Sequence, residues 1–134
     1  MNEYDVACDV IYSLGDRCLL LAGELKALNY LTELDLSSNH LTGTMPNAIG
    51  ELTSLKFLML EDNRLRGSLP ESISDISNLE EIFLSNNQLE GRLPENIGYL
   101  EHLRGLRVDH NLLTGSLPKD WKQKGISTFR IIFV

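Results

Sequence analysis

The sequence predicts an α/β solenoid, in which short parallel strands stack into one sheet and helical or 3₁₀ turns lie on the opposite side. Three observations carry that prediction. The segments LTELDLSSNHLTGTMP from Leu31, LKFLMLEDNRLRGSLP from Leu55, LEEIFLSNNQLEGRLP from Leu79 and LRGLRVDHNLLTGSLP from Leu103 begin 24 residues apart. Within each, apolar and polar residues alternate: Leu34 and Leu36 sit among Glu33, Asp35 and Ser37, the period-two pattern of a half-buried strand. Three columns then repeat without slipping: Asn39, Asn63, Asn87 and Asn111; Gly43, Gly67, Gly91 and Gly115; and Pro46, Pro70, Pro94 and Pro118, which are the only prolines.

Taken in order, residues 1–30 read as an N-terminal cap and a degenerate half repeat. Val6, Val10, Ile11 and Leu14 are spaced as one helical face, so Glu3 to Leu14 is expected to form a capping helix over the first repeat. Leu25 and Leu28 correspond to Ile49 and Leu52, which makes GELKALNY the second half of a worn repeat. Residues 31–126 hold the four repeats. In each, a strand is followed by an Asn whose amide and carbonyl can satisfy backbone groups left open where the coil turns. Gly then permits a tight or positive-φ bend, and Pro sets φ as the chain enters the return segment. Apolar residues three apart in Asn47 to Leu52 suggest one helical or 3₁₀ turn there. No unit buries its own apolar edge, so the units must stack. Residues 127–134 read as a truncated fifth strand: Phe129 and Ile131, with Ile126 just before them, mimic the strand leucines, but no Asn follows before Val134, and FRIIFV ends in an open sheet edge.

Composition narrows the function. Lys+Arg 12 against Asp+Glu 19 and a net charge of -7 argue against nucleic-acid binding through the general surface. The one basic run, KDWKQK from Lys119 to Lys124, reads as a solvated edge. No window approaches the roughly 18 apolar residues of a membrane span, so no membrane contact by this chain is expected. MNEYDVACDV carries acids where a secretory signal has bases. Cys8 and Cys18 are consistent with one disulfide or with two free thiols.

The pattern LxxLxxLxLxxNxLxGxxPxxIxxLxx, clearest in LTELDLSSNHLTGTMPNAIGELTS, resembles the plant-type leucine-rich repeat over Leu31 to about Trp121. That resemblance implies a right-handed superhelix with a concave parallel sheet and a second, lateral sheet from the LxGxxP segments. It also implies a domain like those of receptor-kinase ectodomains and polygalacturonase inhibitors, which bind proteins, peptides or sometimes glycans. The implied location is extracellular or at the cell surface as part of a longer precursor, a cytoplasmic one being left open because no signal peptide is visible. The implied roles are receptor-like signalling or defence. Two departures stand out. The cap segment ACDVIYSLGDRC lacks the family's Trp and spaces its cysteines more widely, and no Asn-x-Ser/Thr sequon occurs.

Chemistry finds few candidates. His40, His102 and His110 occupy different columns, no zinc spacing or phosphate loop is present, and Glu61-Asp62-Asn63 lacks the spaced ligands of a calcium loop. Asp109 and His110 are adjacent, and neighbours on a strand point to opposite faces. The chain therefore reads as a non-enzyme that needs no cofactor or metal. Binding is the better reading. Phe57, Met59 and Phe83 are expected to form an apolar centre on the outward face of the strands, with Glu33, Asp35, Glu61, Glu81 and Asp109 around it and Arg107, with Arg130, on one side. The alternative is self-assembly through the C-terminal edge. Ice binding ranks third, because the outward columns mix acids, aromatics and Arg where a flat array of Thr, Ser or Asn is needed.

Overall fold

The computed structural model describes residues 12–13, 18–19, 28–118, 121 and 130–132. The stacked units form two parallel sheets. In the larger, β3 (Glu33–Asp35), β5 (Phe57–Met59), β7 (Glu81–Phe83), β9 (Gly105–Arg107) and β11 (Arg130–Ile132) lie side by side in that order. In the lateral sheet, β4 (Thr42–Thr44), β6 (Arg64–Gly67), β8 (Gln88–Gly91) and β10 (Leu112–Leu113) do the same. Leu34 pairs with Leu58, Leu58 with Ile82, and Ile82 with Leu106. The inward strand positions Leu34, Leu36, Leu58, Leu60, Ile82, Leu84, Leu106 and Val108 are all buried, as the alternation requires.

On the far side, Asn47–Glu51, Glu71–Asp75 and Glu95–Tyr99 form 3₁₀ turns, each preceded by a column proline in extended conformation or close to it. An α-helix is about 10 Å across, whereas neighbouring strands lie about 4.8 Å apart, so narrow turns keep both sides of the stack in step. Ile49, Ile73 and Ile97 point inward from these turns and are fully buried. Leu41, Leu65 and Leu89 come from the lateral side, so each coil feeds the core from three directions. Leu28 is buried as well, in the place that Leu52 holds one coil later.

Both ends depart from expectation. Tyr12–Ser13 is a short strand, β1, paired antiparallel with β2 (Cys18–Leu19). The C-terminal part of the expected capping helix is therefore extended, and a helical period of apolar residues does not prevent a chain from finding a strand partner. The rest of that segment, Cys8 included, lies outside the described residues. At the other end the sheet has a full three-residue fifth strand, with Ile131 in register with Leu106 and Ile132 with Arg107. That is one residue beyond the 24-residue period, and it sets Ile131 beside Leu106 where the leucine pattern had matched it to Val108. Ile126 and Phe129 lie outside the described residues.

Candidate functional site

The Asn column explains how the outward face is held level. Asn63 Oδ1 accepts the Leu41 N–H at 3.0 Å, while its Nδ2 donates to the carbonyls of Leu36 at 2.8 Å and Leu60 at 3.1 Å. Asn87 repeats this with Leu65 N–H at 3.0 Å, Leu60 O at 2.9 Å and Leu84 O at 3.1 Å. Asn111 does so with Leu89 N–H at 2.9 Å and Leu84 O at 2.8 Å. Each of these amides therefore binds its own coil and the preceding one. Asn39 donates to Leu36 O and Ser37 O of its own coil at 3.0 Å.

A second column, not anticipated from the sequence, precedes the asparagines. Ser38, Asp62, Asn86 and His110 all have φ between 54° and 57°, the left-handed region that non-glycine residues rarely enter. The residues found there are mostly short and polar, and Asn86 Nδ2 donates to Asp62 Oδ1 at 2.9 Å. Such side chains can offset the backbone cost by bonding locally.

Above this frame the outward side chains assemble as the strand register dictates. Met59 lies opposite Phe83, Phe83 opposite Arg107, and Phe57 opposite Glu81. Phe57 and Met59 are two residues apart on β5 and so share its outer face. Phe57, Met59 and Phe83 are half-buried, because side chains on strands this close shield one another. The Arg107 guanidinium sits 4.9 Å from the centre of the Phe83 ring, a cation–π contact. Glu81 extends toward Gly105, whose missing side chain leaves room for it. Glu33 is exposed, and Asp35, Glu61 and Asp109 are half-buried.

The carboxylates differ. Glu61 Oε2 is buried without a hydrogen-bond partner among the described residues. Burial pushes its carboxyl above the ordinary value and the charges of Asp35 and Asp62 add to this, while a backbone hydrogen bond and Arg107 oppose it. Asp109 is held below its ordinary value, chiefly by the hydrogen bond that Ser85 Oγ donates at 2.5 Å and then by His110, whose Nδ1 is 2.9 Å from Oδ2. Asp109 and His110 do meet, contrary to the expectation for adjacent strand residues. The reason is that His110 occupies the left-handed turn position beyond the strand. The carboxylate thus takes the Ser85 hydroxyl proton at Oδ1 and has the His110 imidazole at Oδ2.

Some exposed features escaped the sequence reading. Among the described residues, Tyr30, Tyr99 and Leu112 are the large apolar side chains most open to solvent, each above 60% exposed. On the flank, Glu80 pairs with Lys56 at 3.8 Å and with Arg104, one charge per coil across three coils. The signal for that trio was the 24-residue column itself.

Two family models described as leucine-rich repeats match the chain, at residues 23–65 and 78–100. Both matches fall on the stacked units, which are leucine-rich repeats. No curated protein matches it. Among solved structures it is similar to a chain of the BIR3–SERK2 complex from Arabidopsis thaliana, at 33% identity and a TM-score of 0.75, over 88% of this chain and 62% of that one. It is also similar to the ectodomain of the Arabidopsis receptor kinase HAESA in complex with an IDA peptide hormone ligand, at 28% identity and a TM-score of 0.77, over 87% of this chain and 20% of that one. A plant ice-binding protein matches at 34% identity and a TM-score of 0.71, over 81% of this chain and 36% of that one. The chain thus spans less than two thirds of the length of each of these neighbours.

Proposed function

We propose that the chain is a non-catalytic recognition module, extracellular or at the cell surface, that binds a protein or peptide through the outer, concave face of its five-stranded sheet. The observation that carries this reading is the contiguity of Phe57, Met59 and Phe83 across β5 and β7, with Arg107 over the Phe83 ring. Packing does not require large apolar groups there, since outward positions of a solenoid are free to be polar. The ring of Glu33, Asp35, Glu61, Glu81 and Asp109 suits a partner that joins apolar anchors to Lys or Arg. The neighbours support the class of ligand: one is a complex of two proteins and another holds a peptide hormone.

Selection of peptides from a random library tests the reading. Enriched peptides are expected to combine apolar and basic residues, and the double variant Phe57→Ser/Phe83→Ser should lose about 2 kcal/mol of binding per true hot spot with little change in melting temperature. Enrichment that ignores charge, or full affinity retained by the double variant, would remove this face from consideration.

A further inference from the structure

A cleft of about 370 Å³ opens on a different side of the molecule, between the third and fourth coils, a volume in the range of small-ligand sites. Arg92, Glu95, Asn96 and Tyr99 line it from the third coil, and Ser116 and Leu117 from the fourth. Because the coils repeat, the same places elsewhere show what stacking demands. The first coil carries Thr44, Asn47, Ala48 and Glu51 there, and the second Ser68, Glu71, Ser72 and Asp75. Only the third carries a guanidinium, an amide and an aromatic ring together.

Nor are those groups occupied structurally. Ser72 Oγ donates to Asn47 O at 2.7 Å and so ties the second coil to the first. Asn96, in the corresponding place, makes no hydrogen bond among the described residues, and Arg92 makes neither hydrogen bond nor ion pair there although Glu95 lines the same cleft. Arg92 is held over Gly115: a Cβ at that glycine would meet Arg92 Cγ at 3.1 Å and Cδ at 3.3 Å. The glycine therefore gives the aliphatic stem a bed, and the guanidinium has no partner among the described residues. Tyr99 is 63% exposed, a large ring open to solvent that lines the same cleft.

We propose that this cleft binds an acidic saccharide. The apolar C–H face of a sugar ring, slightly positive, fits the negative face of the Tyr99 ring. A uronate carboxylate matches the forked donors of Arg92. The remaining hydroxyls can donate to Glu95 and accept from Asn96 and Ser116. Among the described residues, one cation and one carboxylate line the cleft. A phosphate ester would place two negative charges on one group beside Glu95, whereas each uronate ring brings a single carboxylate together with hydroxyl donors. The inference does not depend on the concave-face reading, since it shares no residue with it.

Calorimetric titration with a linear uronic-acid trisaccharide and with a neutral glucose trisaccharide tests the proposal on the whole chain. The uronate is expected to bind saturably and the neutral oligomer about tenfold more weakly, the order of one charge-assisted hydrogen bond. Arg92→Gln should abolish the preference, and Tyr99→Ala should weaken both ligands by about tenfold. Phe57→Ser/Phe83→Ser should leave uronate binding unchanged. Equal binding of the two oligomers by the native chain would overturn the proposal. So would an absence of saturable heat, or uronate affinity untouched in both Arg92→Gln and Tyr99→Ala with melting temperatures preserved.

Discussion

At the scale of single residues, the Asn column and Glu61 make opposite demands on stability. Asn63 and Asn87 are buried and satisfy backbone groups of two coils each. Replacing either by Leu strands at least one amide and one carbonyl, which should cost about 1–3 kcal/mol and lower the denaturant midpoint. Glu61 is the reverse case. Its carboxyl is raised in the folded state, so the folded chain binds that proton more tightly than the unfolded one, and stability falls as pH rises from 4.5, its ordinary value. Glu61→Gln should remove that slope and raise the melting temperature on the alkaline side of the window. Asp109, held low, works the other way: its contribution is present above 3.8 and lost as pH falls through its depressed value. Melting curves across the acid range for Glu61→Gln and Asp109→Asn separate the two signs.

At the scale of elements, the glycine columns allow a graded test. Gly67 and Gly91 share a left-handed conformation, with φ of 74° and 77°. A Cβ on Gly67 would lie 2.8 Å from Thr44 Cγ2, whereas on Gly91 its nearest neighbour is Ser68 Cβ at 3.4 Å. Gly91→Ala should therefore cost about 1–2 kcal/mol, the backbone penalty alone, and Gly67→Ala more, read from denaturant unfolding. The strands, the turns and the buried leucines were legible because periods of two and of 24 leave little choice about which side faces inward. The left-handed column before each Asn was not legible, since Ser38, Asp62, Asn86 and His110 share no single residue type. The ends were least legible. There the period is broken, and pairing of Tyr12–Ser13 with Cys18–Leu19, or of Arg130–Ile132 with β9, depends on contacts that a repeat cannot forecast. The columns of the candidate site could be written down from the sequence, but the Arg107–Phe83 contact and the half-burial of the apolar centre required the register.

At the scale of the whole molecule, each coil touches only its neighbours, so stability is a sum of coil and interface contributions. Amide exchange should be slowest in the middle coils, at Leu65 N–H in particular, which Asn87 accepts, and faster toward both ends; uniform protection would contradict this. The direction of the bonds has a mechanical consequence as well. The chain runs around each coil, while the Asn amides and the strand pairs join one coil to the next, along the stack. Tension applied between the two ends of the molecule would load those bonds one row at a time, as in opening a zip, and not many rows together in shear. A coil of 24 residues, once peeled away, would release about 80 Å of extended chain. Stretched by an optical trap, the molecule should thus yield in near-equal steps at modest force and act as an extensible tether before it gives way as a whole.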